Sequence, residues 1–242
     1  MAKRFYEAVE PRALANGHYA IMLDQYEVKT PARADLHLPH QALAEMIAHE
    51  WASQGEQVKP DTMPVMRLVS TALDRVAIDP AATAQAFAAY GETDLLCYRA
   101  EHPDRLVERQ TASWNPMLDW ARARYDVSFT TAQGILPIAQ PPATLARLVK
   151  IAGMDALWLT GLAHDAALLG SAVLTLALAD GQIDAKQAYE LAFLDDLFQI
   201  DEWGEDAEAM ARLDKISLEI NVLASYFSAQ TVAHGSSDPV RQ

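Results

Sequence analysis

DALWLTGLAHDAALLGSAVLTLALAD, residues 155–180, carries apolar side chains on every face of the helix that it predicts. A helix that is apolar all round must be buried all round, so we expect the central helix of a bundle, begun by Asp155 and ended by Gly181. A membrane-spanning helix is the alternative. His164 and Asp165 lie in the middle of the segment, where one aspartate alone costs about 3 kcal/mol on insertion, which favours the bundle.

The composition limits the class of protein. The chain has 242 residues, of which 51% are hydrophobic, enough for a sizeable core. Its net charge of −14 argues against binding to nucleic acid or to anionic membranes, because such partners are bound through basic surfaces. An acidic surface suits a basic or mixed-charge protein partner.

Cysteine content and the N-terminus bear on location. Cys97 is the single cysteine, which excludes an intrachain disulfide or a multi-cysteine zinc site and indicates a reducing compartment. The N-terminal MAKRFYEAVE resembles neither a secretory signal nor a mitochondrial presequence. We therefore expect a bacterial cytoplasmic protein, or the mature form of an organellar matrix protein.

Residues 1–60 predict a small N-terminal α+β domain. FYEAV and YAIMLDQYEVKT are rich in β-branched and aromatic residues, and Asp24-Gln25 interrupts the second run as a hairpin turn would. Three or four strands need a covering helix, and a helical pattern follows Pro39, with one apolar face. That face comprises Leu43, Met46, Ile47 and Trp51.

Residues 61–230 predict a C-terminal helical bundle, so the fold class is α+β. Pro116 should kink or divide one helix of this bundle. The helical period stops between Val127 and Pro142, where Ser128–Thr131 and Gly134–Ala139 are candidate extended segments. The last helix is predicted to begin near Trp203 and to pack along residues 155–179, and residues 231–242 are predicted to form a flexible tail.

The motifs of common catalytic and metal sites are incomplete. His49-Glu50 begins an HExxH motif, but Ser53 stands where its second histidine should be. His37 and His40 are close enough in sequence to bind a metal, although two surface histidines are the commoner case. We predict a protein without catalytic activity, metal, cofactor or small-molecule substrate. The alternative is an enzyme with His164, Asp165 and Glu92 in a cleft between the two domains.

Two features favour a protein-binding surface. Five tryptophans are many for a chain of this length, and exposed tryptophans are enriched in interfaces, although core packing is the more common role. Acidic residues cluster around Trp203, where they serve either a helix N-terminus or a partner. The predicted partner-binding residues are Glu202, Trp203, Glu205, Asp206 and Glu208.

Seven stretches resemble, in order, the family of assembly chaperones for the alpha subunit of the F-type ATP synthase catalytic head. They are KRFYEAV at 3–9, LDQYEVKTPA at 23–32, LAEMIAHEWASQGEQVKPDTMPV at 43–65, TALDRV at 71–76, YGETDLLCYRA at 90–100, RQTASWNPMLDW at 109–120 and FQIDEWGED at 198–206. The resemblance implies a small N-terminal β-containing domain followed by a larger all-helical orthogonal bundle. It also implies binding of the free alpha subunit of the F1 sector, and a mitochondrial matrix location for eukaryotic relatives. It implies no catalysis and no cofactor.

The resemblance also implies functional positions. The family-motif residues, for which we expect structural roles, are Trp51, Tyr90, Glu92, Asp94, Tyr98, Trp114 and Trp120. Trp51 is expected to hold the first helix on the sheet. An acidic position after the WG pair is linked to function in the family. Ala207-Glu208 replaces the Glu-Trp pair of the mitochondrial pattern, so the resemblance does not single out one carboxylate.

Overall fold

The computed structural model describes residues 3–231, which divide into two compact units. Among the described residues, the first unit contains residues 3–80, Asp155–Gly161 and residues 225–231. The second contains Ala81–Met154 and Leu162–Ala224. The first unit therefore extends beyond residue 60, and the domain boundary proposed there stays a prediction. The tail predicted at 231–242 lies, apart from its first residue, outside the described residues.

A three-stranded antiparallel sheet begins the first unit. Its strands are β1 (Val9–Ala13), β2 (Tyr19–Leu23) and β3 (Tyr26–Glu27), in the order β1-β2-β3. Asp24 has a positive φ of 54° in the predicted hairpin turn, which is confirmed. Strand β1 forms an edge of the sheet, and Glu10, Pro11 and Arg12 in it are exposed.

Helix α1 (Gln41–Ala52) covers β1 and β2, as predicted. The Glu50 carboxylate near its end accepts hydrogen bonds from the backbone N–H groups of Val65 and Met66, at 2.7 and 2.8 Å. These N–H groups belong to the first turn of α2 (Pro64–Asp74), where a helix has donors without helical partners. Glu50 thus joins α1 to α2.

The second unit is mainly helical. Its first helices are α3 (Pro80–Ala89), α4 (Asp104–Tyr125) and α5 (Pro142–Ala152). Two short strands, β4 (Tyr98–Arg99) and β5 (Ala132–Gln133), pair in parallel. Together with the sheet of the first unit, these elements confirm the α+β class with a helical C-terminal part.

The prediction of one central helix is wrong in one respect. The structure has two helices in its place, α6 (Ala156–Leu169) and α7 (Ala172–Ala179). Gly170 adopts a positive φ of 65°, and the Ser171 side chain caps α7 by accepting a hydrogen bond from the Leu174 N–H. All residues of α7 are buried. Helix α6 has exposed residues, among them His164. Among the helices of residues 3–231, none is long and apolar enough to cross a membrane.

The final helices also differ from the prediction. After α8 (Ala185–Ala192), helix α9 (Leu194–Trp203) ends at the tryptophan that was expected to begin the last helix. Gly204 has a positive φ of 91°, which ends α9, and α10 (Ala207–Thr231) follows. Two aromatic contacts join α10 to the start of α6. Tyr226 donates a 2.7 Å hydrogen bond to the Leu157 carbonyl, and the Phe227 and Trp158 rings meet edge to face at 5.1 Å.

Two smaller predictions concern α4 and the segment after it. Helix α4 runs through Pro116 without division, so the predicted division is wrong, while a kink at Pro116 stays a prediction. The extended segments predicted at Ser128–Thr131 and Gly134–Ala139 are not strands, and the residues that pair with β4 are those of β5, which lie between them. The pairing depends on Tyr98 and Arg99, which are far away in sequence and which we expected to be helical.

Candidate protein-binding surface

The Trp203 patch consists of Glu202, Trp203, Glu205, Asp206 and Glu208, and all five residues are exposed. The Trp203 side chain is 79% exposed, which is exceptional for so large an apolar ring. The four carboxylates lie within a stretch of seven residues, 202–208. The structure thus places an exposed aromatic side chain in a strongly acidic segment.

The ends of α9 and α10 explain how the patch is formed. Arg105 and Arg109 of α4 pair with the last carboxylates of α9, through Arg105 to Glu202 at 2.8 Å and Arg109 to Asp201 at 2.9 Å. Asp206 caps α10 by accepting a hydrogen bond from the Ala209 N–H at 2.9 Å. Asp206 therefore has a structural role at a helix N-terminus. The Trp203 ring, by contrast, is largely exposed to solvent.

Asp94, a family-motif residue, is fully buried and organises backbone around it. Its carboxyl group accepts hydrogen bonds from the Ser171 hydroxyl at 2.8 Å and from the Leu96 and Val173 N–H groups at 3.1 Å. Burial raises the pKa of Asp94 to about 6, partly offset by these donors. In the same YGETD segment, Glu92 is exposed and Tyr90 is half-buried.

Sequence reasoning missed the buried Arg99. Its guanidinium donates to the carbonyls of Leu96 and Gln110 and to Asn115 Oδ1, at 2.9–3.0 Å. It also lies 5.1 Å from the centroid of the Trp114 ring. Both residues lie in the family motifs, Arg99 in YGETDLLCYRA and Asn115 in RQTASWNPMLDW. Their contact could not be predicted, because only the folded chain brings the two motifs together.

Three family-motif tryptophans have packed environments, which is consistent with the structural roles that stay predictions for them. Trp114 is buried and its indole N–H donates to the Leu191 carbonyl at 3.0 Å. The Trp120 ring meets Tyr125 edge to face at 5.6 Å. The Trp51 ring meets Tyr6 at 5.7 Å, and the Tyr6 hydroxyl donates to the Trp51 carbonyl, so this contact joins α1 to the segment before β1.

The residues of the enzyme alternative do not share one environment. The exposed His164 pairs with Glu219 of α10 at 2.8 Å. Its neighbour Asp165 is fully buried, and neither of its carboxyl oxygens has a hydrogen-bond partner. Burial raises the pKa of Asp165 to about 7, an effect that the nearby Thr175 hydroxyl offsets only in part. The Asp165 carboxyl group therefore has no surface open to a substrate in this structure.

The described residues include histidines and a cysteine that could bind a metal or act as a nucleophile. Within residues 3–231, no cluster of three or more histidine, cysteine or acidic side chains is placed to hold a metal ion. His37 instead pairs with Glu27 at 2.8 Å. Cys97 is buried, and burial raises the pKa of its thiol to about 12, which opposes formation of a thiolate nucleophile.

Several known proteins are similar to this chain in sequence and in fold. The family model described as ATP12 chaperone protein matches residues 3–122. A crystal structure of Atp12 from Paracoccus denitrificans is 34% identical with a TM-score of 0.88, covering 94% of this chain and 98% of that one. An aspartate-to-lysine mutant of that protein gives the same TM-score, with 97% of its chain covered. A chaperone candidate from Agrobacterium tumefaciens is 37% identical with a TM-score of 0.87, covering 93% of this chain and 84% of that one. This chain belongs to the ATP12 chaperone family.

Proposed function

We propose that this protein binds the free alpha subunit of the ATP synthase F1 sector, shields its subunit interface and releases it for assembly. Membership of the ATP12 family supports a chaperone role in ATP synthase assembly. The observation that carries the proposal is the 79% exposure of Trp203 within the acidic Trp203 patch. We propose a bacterial cytoplasmic location and a mechanism without catalysis, metal or cofactor.

The physical basis is the surface that an unassembled subunit exposes. An apolar interface awaiting its neighbour is prone to aggregate, and covering it prevents this. A tryptophan ring contributes a large apolar area and an indole N–H, which together make it a common binding hot spot. The surrounding carboxylates favour a client surface bordered by lysine or arginine and disfavour acidic surfaces.

Release sets a limit on affinity. The final contact between neighbouring F1 subunits must displace the chaperone, so the chaperone interface should be the smaller and weaker of the two. An interface built around one tryptophan with a polar, solvated rim is small. Much of its binding free energy comes from that single side chain, so it meets this requirement. We therefore expect reversible binding of moderate affinity.

The direct test measures binding of the purified protein to free alpha and free beta subunits by isothermal titration calorimetry, with light scattering to follow subunit aggregation. We expect binding to the alpha subunit alone and suppression of its aggregation. Binding to the beta subunit instead, or to neither, would contradict the proposal.

A Trp203→Ala variant tests the patch itself. Loss of an interface tryptophan typically costs about 2 kcal/mol or more, so we expect the dissociation constant for the alpha subunit to rise about thirtyfold. Leu218→Ala is the matched control, since Leu218 is a 67% exposed apolar residue of α10 outside the patch. Equal binding by the Trp203→Ala variant and the control would remove the patch from the mechanism.

A further inference from the structure

A second exposed apolar element lies in the same unit as the Trp203 patch. The GILPI loop, residues 134–138, exposes 94% of Ile135 and 77% of Leu136. Two adjacent aliphatic side chains at such exposure are uncommon, because each loses the favourable free energy of burial. The loop follows β5 directly.

Polar residues hold the base of this loop in place. The Gln140 side chain is buried and spans the base, accepting from the Thr130 N–H and donating to the Thr130 carbonyl, both at 2.9 Å. The Gly134 N–H donates to the Arg99 carbonyl at 2.8 Å, which continues the β4–β5 pairing. The loop thus buries a glutamine and exposes an isoleucine and a leucine, the reverse of the usual distribution. An anchored loop with an apolar tip is suited to contact another molecule.

The loop and the Trp203 patch each contact the short segment of residues 101–105 at the start of α4. Gly134 lies against Glu101, whose Oε1 would be 2.9 Å from a Cβ atom placed on the glycine. Four residues further along the chain, Arg105 holds Glu202, the neighbour of Trp203. Both apolar elements are therefore connected to residues 101–105, and both have carboxylates beside them.

We propose that the GILPI loop is a second docking element for the chaperone's client, inserting Ile135 and Leu136 into an apolar hollow bordered by basic side chains on the F1 alpha subunit. Charge complementarity favours this partner surface, because Glu101 lies against the base of the loop and the chain as a whole has a net charge of −14. Two separated anchors also fix the orientation of the client, which one tryptophan cannot do. The inference rests on the proposed function.

Site-specific labelling gives the first test. The single native cysteine, Cys97, is buried, so an Ile135→Cys variant carries one accessible thiol for an environment-sensitive fluorophore. Ile78→Cys is the matched control, because Ile78 is an isoleucine of the first unit with 79% exposure. We expect a blue shift on addition of alpha subunit for the label at position 135 and none at position 78. A blue shift that appears without client as protein concentration rises would indicate self-association and overturn the inference.

An Ile135→Ser and Leu136→Ser double variant gives the second test. We expect at least about a tenfold rise in the dissociation constant for the alpha subunit, with an unchanged melting temperature, because neither side chain is buried in the free protein. Unchanged affinity together with a silent label at position 135 would overturn this inference, while alpha-subunit binding by the unmodified protein would leave the proposed function standing. Failure of the unmodified protein to bind the alpha subunit would overturn both.

Discussion

The Asp94 carboxyl group accepts a 2.8 Å hydrogen bond from the Ser171 hydroxyl across 77 residues of chain, and the same serine caps α7. Val173, in the first turn of that helix, donates its N–H to the other carboxyl oxygen of Asp94. One buried carboxyl group thus joins the YGETD motif to the N-terminus of the most deeply buried helix.

Replacing Asp94 by alanine should be strongly destabilising. The substitution leaves the Ser171 hydroxyl and two buried N–H groups without their acceptor, so we expect the free energy of unfolding to fall by about 3 kcal/mol or more. Glu92→Ala is the control, since Glu92 lies in the same motif but is exposed. Urea unfolding followed by circular dichroism measures both variants. Equal losses in the two would refute the assigned role of Asp94.

The buried Asp165 should make stability depend on pH. Its pKa rises from 3.8 to about 7 in the folded protein, so between these values the unfolded chain releases a proton that the folded protein keeps. The free energy of unfolding therefore falls as pH rises through this window, by up to about 4 kcal/mol in total and by about 1 kcal/mol between pH 6 and pH 8.

An Asp165→Asn variant tests this pH dependence, because asparagine cannot titrate. We expect its stability to change less than that of the unmodified protein between pH 6 and pH 8, whatever the absolute effect of the substitution. The titration of Asp94, whose pKa is raised to about 6, leaves a slope at lower pH in both proteins. An exposed-site control, Asp214→Asn, should keep the full slope. Parallel curves for all three proteins would show that Asp165 is ionised in the folded state.

Gly161 allows close packing of α6 against the aromatic side chains of α10. A Cβ atom at this position would lie 2.7 Å from Phe227 and 2.9 Å from Tyr226, closer than van der Waals contact permits. We expect Gly161→Ala to lower stability by about 1–3 kcal/mol, because two buried rings must move. Gly55→Ala is the control, since no atom lies within 4 Å of its Cβ position. A change in melting temperature for the control alone would contradict this packing argument.

Three of the four negative charges of the Trp203 patch can be removed without removing the α10 cap. A triple variant with Glu205→Gln, Asp206→Asn and Glu208→Gln is close to isosteric, and asparagine is as good an N-cap as aspartate. We expect unchanged stability, a slower association rate with the alpha subunit and a weaker dependence of that rate on salt. Stopped-flow measurements at two ionic strengths provide the comparison. Association rates equal to those of the unmodified protein at low salt would show that the carboxylates do not attract the client.

The sequence predicted those parts of the fold that local patterns determine. The hairpin at Asp24-Gln25 and its covering helix α1 follow from residue alternation, turn chemistry and an apolar helical face. The division of residues 155–180 at Gly170 was missed, because hydrophobicity continues across the break. Gly170 at positive φ and the Ser171 cap are the local features of the break, and the hydrogen bond from Ser171 to the distant Asp94, which no local pattern reveals, supports them.

The candidate site was proposed from composition, and its role in binding stays a prediction. An aromatic residue among carboxylates stands out in sequence, and the structure shows that Trp203 is exposed, although it ends α9 and does not begin α10. The Ile135 and Leu136 tip was missed, since two aliphatic residues in a sequence indicate burial by default. Their exposure follows from the long-range contacts of Gln140 and Gly134 that hold the base of the loop.

The exposed edge of strand β1 is poorly suited to pairing with a strand of another polypeptide. Pro11 has no amide hydrogen to donate, and Glu10 and Arg12 beside it are exposed and charged, so another polypeptide gains little by adding a strand there. A protein that binds unassembled, aggregation-prone chains would otherwise risk aggregating together with them. Under the proposed function, the exposed apolar side chains contact the client, while strand β1 offers the client no template for amyloid-like strand pairing.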